Sequence, residues 1–571
     1  MEIRDWIEAI AVLGALLLCT KPLGSYLSQV LDPRGKTPFD RLLAPLERGI
    51  YRALKVDPLQ EQKWGGYLID LLAFSLVSAL FTALLLALQG YLPLNPEGRG
   101  ALSWHLNVNT TVSFLTNTNW ESYSGEKSLS YLSQMAALTV QNFTSAAVGV
   151  AGGAVLVRGL ARREEKGEIG NFFVDLTRTV LYLLLPLSMV GACLLLFEGV
   201  PQNFSPYLRA VGIEGGAQQI AQGPVASQEA IKLLGSNGGG FFSANAAHPY
   251  ENPTPLSNFY QMVFILLIPA GQIYYFGKAV NNTRHAWCIF AALSAVFLIG
   301  VWICTASERA GNPTWESIGV AGANWEGKEV RFGIFGSSLY TALTTAASCG
   351  STNCSYDALT PIGGLVPMLN IQLSETIFGG VGSGLYSVLL FVFLAIFISG
   401  LVVGRTPEYL GKKIEADEVK LTVLSILPYV VIVHLFTAVA CYTDWGRAAI
   451  SNGGPHGYSE ILYAFSSCGA NNGSAFEGLQ TQESVGYNVT LALTMLLGRF
   501  CVIAPVIALG GSLAKKKVHP PSLATFPISS PVFITLLVGV IILLGALTFL
   551  PAFTMGPVLE HFFLVAKRLF P

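Results

Sequence analysis

The chain has 571 residues, a formal net charge of −1, 12% charged residues and 52% hydrophobic residues. A charged share roughly half that of a soluble domain excludes a string of soluble domains, a disordered chain and a coiled coil, and the near-neutral balance leaves no footprint for nucleic acid. Nine cysteines, an odd number lying mostly in apolar stretches, exclude a disulfide-stapled secreted domain; an all-α polytopic membrane protein remains.

Lipid offers no partner to backbone N–H and C=O groups, so a crossing helix needs about 20 largely apolar residues. Ten stretches meet that requirement. Residues 6–30 come first, without the small-residue cleavage site of a secretory signal. The segment 31–63 carries seven Lys and Arg and leads to the second stretch, 67–89. Residues 90–127 are longer but hold only two basic residues. Within them Trp104–Leu115 is apolar yet too short to cross, and it runs into Thr116-Asn117-Thr118-Asn119. The third stretch, 128–157, is followed by the basic segment 158–171, with Arg158, Arg162, Arg163 and Lys166. The fourth is 174–198. Residues 199–255, again with two basic residues, contain Val225–Leu234 and then Gly235-Ser236-Asn237-Gly238-Gly239-Gly240. Stretches 256–277 and 286–307 flank a short link bearing Lys278 and Arg284. Residues 308–375, with three basic residues, contain Phe335–Ala347 followed by Ser348-Cys349-Gly350-Ser351-Thr352-Asn353. Stretch 376–404 precedes the basic segment 405–420, and 421–443 follows it. Residues 444–483, with one basic residue, hold Gly457–Ser466 and then Ser467-Cys468-Gly469-Ala470-Asn471-Asn472-Gly473. Stretch 484–514, the run Lys515-Lys516-Lys517 and stretch 529–554 complete the series.

The short basic segments hold 20 of the 34 Lys and Arg, and the long segments hold 8. The two kinds alternate strictly, so the positive-inside rule puts the basic segments in the cytoplasm and both termini outside. The long segments share a unit of span, short helix, polar turn and span, and its third and fourth copies both read S-C-G-x-[TN]-N, 119 residues apart. The chain is expected to divide into 1–63 (an extra first helix and cytoplasmic loop), repeats at 64–170, 171–285, 286–420 and 421–518, and an extra last helix at 519–571. The expected fold is four membrane–pore–membrane repeats in a pseudo-fourfold arrangement.

A short helix that stops halfway through a membrane leaves carbonyls unsatisfied at its C-terminal end, where the dipole favours a cation. Four polar turns around one axis aim carbonyl oxygens that can replace the hydration shell of a potassium ion. Glycine supplies the backbone angles such turns need. The alternative is four Gly/Asn-rich surface turns, which the matching positions of the four copies disfavour.

Five stretches carry a resemblance to a known family: Val112–Glu126, Gly235–Asn258, Asp357–Pro367, Gly404–Lys413 and Asn472–Phe476. Over essentially its whole length the chain resembles the potassium-binding subunits of the Kdp high-affinity, ATP-driven potassium pumps of bacteria, members of a superfamily of potassium transporters. The resemblance implies capture of external potassium in a channel-like filter and delivery through an intramembrane tunnel to a P-type ATPase subunit, KdpB. The further subunits KdpC and the small KdpF would complete a complex embedded in the lipid of the inner membrane. The resemblance implies potassium binding by Thr116, Asn117, Thr118, Asn119, Ser236, Asn237, Gly238, Asn245, Ser348, Cys349, Gly350, Asn471, Asn472 and Gly473. It further implies a filter edge and gate containing Glu121, Glu375, Arg405 and Arg499. Two departures stand out. Glu121 occupies a position where the family commonly has Gln, which bears on the charge at the filter's inner edge. Cys468-Gly469 replaces a pattern of small residues and Asn in the fourth filter.

Charges inside a span are costly and mark functional candidates. Arg499 lies midway through 484–514, where the resemblance implies a barrier below the filter; the alternative is an ion pair with another helix. Glu375 is expected near that gate or at the interface. Asp70 and Asp175, near span ends, read as ordinary interface residues, and His434 as a satisfied core histidine. The glycine-dense run Phe378–Gly384 reads either as a loop-like gate under the third filter or as a site of close helix packing. No energy source is visible. Gly35-Lys36-Thr37 lacks the upstream glycine of a phosphate-binding loop, no D-K-T-G sequence occurs, and no inner loop is large enough for a nucleotide domain. No nucleotide is therefore expected on this chain, nor a catalytic site of its own. Three readings compete: the potassium-binding subunit of an ATP-driven complex, a free-standing potassium channel or symporter, and an intramembrane enzyme. The last lacks paired catalytic residues within its spans.

Overall fold

The computed structural model describes residues 3–315, 319–373, 376–404, 407–520 and 526–568. Ten of its helices are long and apolar enough to cross a membrane: spans 1 to 10 are Asp5–Val30, Trp64–Tyr91, Ser133–Ala161, Phe172–Phe197, Pro255–Ala279, Thr283–Ala310, Ser383–Val402, Ala416–Tyr442, Val485–Leu513 and Pro531–Met555. Each falls on one of the ten expected stretches. Several starts are written in local chemistry. Thr254 and Ser257 exchange side-chain hydrogen bonds in a capping box at the head of span 5, and Asn282, Ser484 and Ser530 cap spans 6, 9 and 10.

Four shorter helices lie between the spans of successive pairs: Trp104–Leu115, Val225–Leu234, Gly333–Ala346 and Gly454–Gly469. They are largely buried, whereas spans 1, 2, 8 and 10 show rows of exposed Leu, Ile, Val and Phe, as lipid-facing helices do. Span 3 is the most enclosed and packs against span 9. The extra first span lies along span 5, where a Cβ on Gly24 would come within 2.5 Å of the Gly271 carbonyl oxygen. The extra last span lies along spans 6 and 7.

Repeat 3 departs from the expected single stretch at 376–404. Its second leg is broken into a helix at Pro361–Gln372, capped by Thr360, and span 7, which starts only at Ser383. Residues 376–382 between them are not helical, and Phe378, Gly379 and Gly382 have φ of 60°, 68° and 84°. The run is not part of a packed helix, and no gating follows from its shape alone. It is a loop, and it is packed backbone to backbone: Gly379 N–H donates to the Ala346 carbonyl (2.9 Å), and a Cβ on Gly382 would overlap the backbone of Gly149 in span 3.

The basic side is fastened by buried charges. Arg158 grips both carboxylate oxygens of Asp175 at 2.6 Å, and Tyr67 donates to the same carboxylate at 2.8 Å. Lys412 donates to the Gly159 and Leu513 carbonyls at 2.6 and 2.7 Å, closing the C-terminal ends of spans 3 and 9. Burial pushes the Lys412 ammonium down to about 8. His434 is the satisfied histidine its apolar surroundings suggest: Nε2 lies 3.0 Å from the Thr548 carbonyl oxygen of span 10.

Candidate functional site

The four short helices end in the same way. One residue beyond each C-cap the backbone turns left-handed: Asn117, Ser236, Ser348 and Asn471 have φ of 69°, 50°, 52° and 58°. The next N–H reaches back to a carbonyl five residues earlier. Thr118 donates to Ser113 (3.0 Å), Asn237 to Lys232 (2.8 Å), Cys349 to Thr344 (2.9 Å) and Asn472 to Ser467 (2.8 Å). These are four Schellman closures, which stop a helix and reverse the chain. They also set the register of the repeats. Ser348 corresponds to Asn471, so the S-C-G match between copies three and four is offset by four residues: Ser467, Cys468 and Gly469 form the last turn of the fourth short helix and are buried there.

The turns bond to one another around a closed ring. Between the first and second, Asn117 Nδ2 donates to the Gly235 and Ser236 carbonyls (3.1 and 3.2 Å), Asn237 Nδ2 donates to Asn117 Oδ1 (2.8 Å), and Gly239 N–H donates to the Asn119 carbonyl (2.7 Å). Cys349 Sγ donates to the Asn237 carbonyl (2.9 Å), joining the second to the third. Ser348 Oγ donates to the Ala470 and Asn471 carbonyls at 3.4 Å, joining the third to the fourth. Asn471 Nδ2 donates to Thr118 Oγ1 (3.0 Å) and closes the ring. The Asn side chains thus brace the turns, and the Thr118, Asn119 and Asn472 carbonyl oxygens lie close together beside Gly238, Gly350 and Gly473. Their crowding explains the glycines. A Cβ on Gly238 would overlap the Thr118 oxygen and lie 3.0 Å from the Asn119 and Asn472 oxygens; one on Gly473, at φ 100°, would also overlap Thr118; one on Gly350 would lie 2.6 Å from the Asn472 oxygen.

Asn245, beyond the second turn, accepts from Lys232 Nζ (3.2 Å) and lines a cavity beside the ring on the side of the long segments. Lys232 is fully buried between Glu229 (2.8 Å) and Glu251 (2.9 Å). Glu121 also lies on this side, lining a cavity of about 220 Å³ with Asn119, Gly239, Gly350 and Gly473. The chain runs on from the first turn toward the long segments and carries residue 121 with it, so Glu121 lies on the long-segment side of the ring. Burial, with the Glu251 charge behind it, holds the Glu121 carboxyl well above the usual range, against the opposing pull of Lys232.

Arg499 takes the opposite side. It is buried, donates from Nη2 to the Ser145 carbonyl (3.0 Å), and lines a cavity of about 40 Å³ with Asn471, Ser383, Ser387 and Tyr429. Among the described residues no carboxylate lies within 4 Å of its guanidinium, so the alternative of a structural ion pair has no partner there. Glu375 and Arg405 lie outside the described residues.

The sequence matches the family model "Potassium-transporting ATPase A subunit" over residues 10–562. The chain belongs to that family. It is 50% identical over 570 residues to a protein of Mesorhizobium japonicum and 51% identical over 569 residues to one of Solibacter usitatus, each alignment covering both chains fully. Both relatives are named potassium-transporting ATPase potassium-binding subunit. The fold is similar to the crystal structure of the potassium transporter TrkH from Vibrio parahaemolyticus, with a TM-score of 0.51 and 14% identity over 89% of this chain and 98% of that one. As a member of this family with ten spans, the chain is a multi-pass membrane protein.

Three bracing residues went unread in the sequence. Ser145 donates to Asn117 Oδ1 (2.7 Å), Asn142 accepts from Asn119 Nδ2 (2.7 Å), and Gln272 accepts from Gly382 N–H (2.9 Å). The signal that could have found them was an amide or hydroxyl inside an apolar span.

Proposed function

We propose that this chain binds extracellular potassium in the ring of four turns and passes it to a P-type ATPase partner. The observation that carries this reading is the fourfold Schellman geometry, together with the Thr118, Asn119 and Asn472 carbonyl oxygens crowded where Gly238, Gly350 and Gly473 admit no side chain. Carbonyl oxygens held by a bonded ring can substitute for the hydration shell of potassium. The names of the relatives support potassium as the ligand and an ATPase as the partner. In this reading the KdpB partner hydrolyses ATP, KdpC and KdpF complete the assembly in the inner membrane, and the long segments and both termini face outward. The cavity beside Arg499 is the first part of the ion's lateral path, and Arg499 hinders straight passage to the cytoplasm.

The test is ion-stimulated ATPase activity of the complex purified from native membranes. Gly238→Asp puts a Cβ and a carboxylate among the turn carbonyls, so apparent potassium affinity should fall by at least about tenfold, a loss of ~1.4 kcal/mol, and rubidium, ammonium or sodium should begin to compete. Gln218→Asp, on the exposed hairpin Leu208–Val211 and Ala217–Ile220, should do neither. Unchanged affinity and preference in Gly238→Asp would sink the filter assignment. Recovery of the chain without an ATPase would favour a free-standing transporter.

A further inference from the structure

The helix Asp40–Leu54 lies between spans 1 and 2 and belongs to neither. Successive helical residues advance by about 100°, so Arg41, Leu42 and Leu43 open three different faces. Leu43, Glu47, Ile50 and Tyr51 form the inward row and pack on the protein. Glu47 fixes this row: it accepts from Arg178 Nη1 (3.0 Å), Tyr182 Oη (2.6 Å) and Tyr51 Oη (2.9 Å). Arg178 also donates from Nε to the carbonyl of Val30, the last residue of span 1, at 2.7 Å. The helix is therefore held at the level where span 1 ends. Leu42, Leu46 and Ala53 form a second row, apolar and open, with Leu42 76% and Leu46 52% exposed. Arg41, Arg48 and Arg52, with Lys55 at the C-cap, form a third row, basic and exposed. None of these four pairs with a carboxylate of a described residue. Phe39 before the helix and Trp64 at the head of span 2 are partly exposed, as aromatic residues at a membrane boundary are.

We propose that the helix Asp40–Leu54 is a binding surface for anionic phospholipid in the leaflet on the basic side of the chain. Leu42 and Leu46 enter the acyl region, and Arg41, Arg48 and Arg52 hold the phosphates of acidic headgroups. An exposed leucine row gains free energy on leaving water, and a basic row beside it follows the order of a leaflet, acyl chains and then phosphates. Charge complementarity favours lipid over a protein partner. The two acids of the helix are turned to other groups, Asp40 to Thr37 and Glu47 to Arg178, so neither outer row opposes an acidic headgroup. The depth agrees, since Glu47 and Arg178 tie the helix to the end of span 1. This inference is independent of the reading of the ring as a potassium filter.

The test uses the complex purified with its ATPase partner and placed in lipid nanodiscs. Leu46→Cys, in a cysteine-depleted background, carries a fluorophore. The probes are phosphatidylglycerol and phosphatidylcholine, each spin-labelled on the acyl chain close to the headgroup so that it quenches on contact. Both lipids should quench the label at Leu46→Cys, as they should at Ile69→Cys, which is 67% exposed near the head of span 2. Ile213→Cys, on the exposed hairpin, should resist both. Phosphatidylglycerol should reach half-quenching of Leu46→Cys at a mole fraction at least about fivefold lower than phosphatidylcholine, the factor for one basic residue at an acidic surface. Arg41→Gln, Arg48→Gln and Arg52→Gln together should abolish that preference and leave the phosphatidylcholine quenching intact. The unfolding temperature of this variant should match wild type, because the three arginines are exposed and form no ion pair with a described residue. If neither lipid quenches Leu46→Cys while both quench Ile69→Cys, the proposal is overturned. Iodide then tells the two other occupants apart: it quenches a helix in water and not one covered by a partner subunit. Equal quenching by the two lipids, or a preference that survives loss of the arginines, would also overturn it.

Discussion

Arg499 of span 9 donates from Nη2 to the carbonyl oxygen of Ser145 in span 3, 3.0 Å away. The hydroxyl of the same serine donates to Asn117 Oδ1 at 2.7 Å, and Asn117 is the left-handed residue of the first turn. The buried charge below the ring is therefore two hydrogen bonds from the ring itself. Arg499→Met removes the charge and frees the Ser145 carbonyl. Passive rubidium leak through the complex in vesicles should rise about tenfold, as a nearby unit charge at intermediate dielectric allows, and ATP hydrolysed per ion should increase. Wild-type leak and coupling in this variant would make Arg499 a packing residue.

Gly382 is the tightest point of the loop under the third turn. Its φ is 84°, and a Cβ would overlap the backbone at Gly149. Gly382→Ala should lower stability by about 2–4 kcal/mol, combining the left-handed cost with overpacking. Gly404→Ala is the control: its φ is 69° with nothing within 4 Å of the Cβ position, so it bears the conformational cost alone. Thermal unfolding in detergent should rank wild type, then Gly404→Ala, then Gly382→Ala. Equal losses in the two variants would show that loop 376–382 yields without resistance.

The spans were legible because lipid forces each backbone group to be satisfied inside its own helix, which imposes length and apolarity on the sequence. The first two short helices were legible to the residue, since Leu115 and Leu234 end apolar runs abruptly. The fourth was not. Ser467-Cys468-Gly469 looks like a turn and matches Ser348-Cys349-Gly350, but helix hydrogen bonding continues through Gly469 and the turn falls on Asn471. The break before Ser383 was half legible from its glycines, yet only the contact with Gly149 says why it is a loop. The cross-turn bonds of Asn117, Cys349 and Asn471 join residues more than a hundred positions apart, a relationship no local pattern carries.

The charge asymmetry of the segments predicts sidedness. Asp417→Cys, exposed at the head of span 8, and Ile213→Cys, exposed on the hairpin of the second long segment, lie on opposite sides. In a cysteine-depleted background, an impermeant maleimide should label Ile213→Cys in intact cells and Asp417→Cys only after permeabilisation. The reverse pattern would invert the topology and put Glu121 and the 220 Å³ cavity on the cytoplasmic side.

His456, near the start of the fourth short helix, ties three elements together. Its Nε2 lies 3.0 Å from Asp357 Oδ1, beyond the third turn, and its Nδ1 lies 2.7 Å from Glu560 Oε1, on the C-terminal helix Pro557–Val565. Glu326 and Arg568 line the same cavity, and Glu460 lies beside Asp357. Burial pulls the imidazole down, but the two carboxylates more than offset it and raise the group from 6.5 to about 10. A raised value means the charged form is favoured by folding, so the stabilisation is full below about pH 6.5 and is lost as pH climbs through about 10. His456→Gln supplies a reference without that titration. Wild type should unfold about 1–3 °C above the variant at the acidic end of this window, and the gap should close as pH approaches the upper end. A gap that stays constant across the window would mean that His456 holds the C-terminal helix by shape and neutral hydrogen bonds rather than by charge.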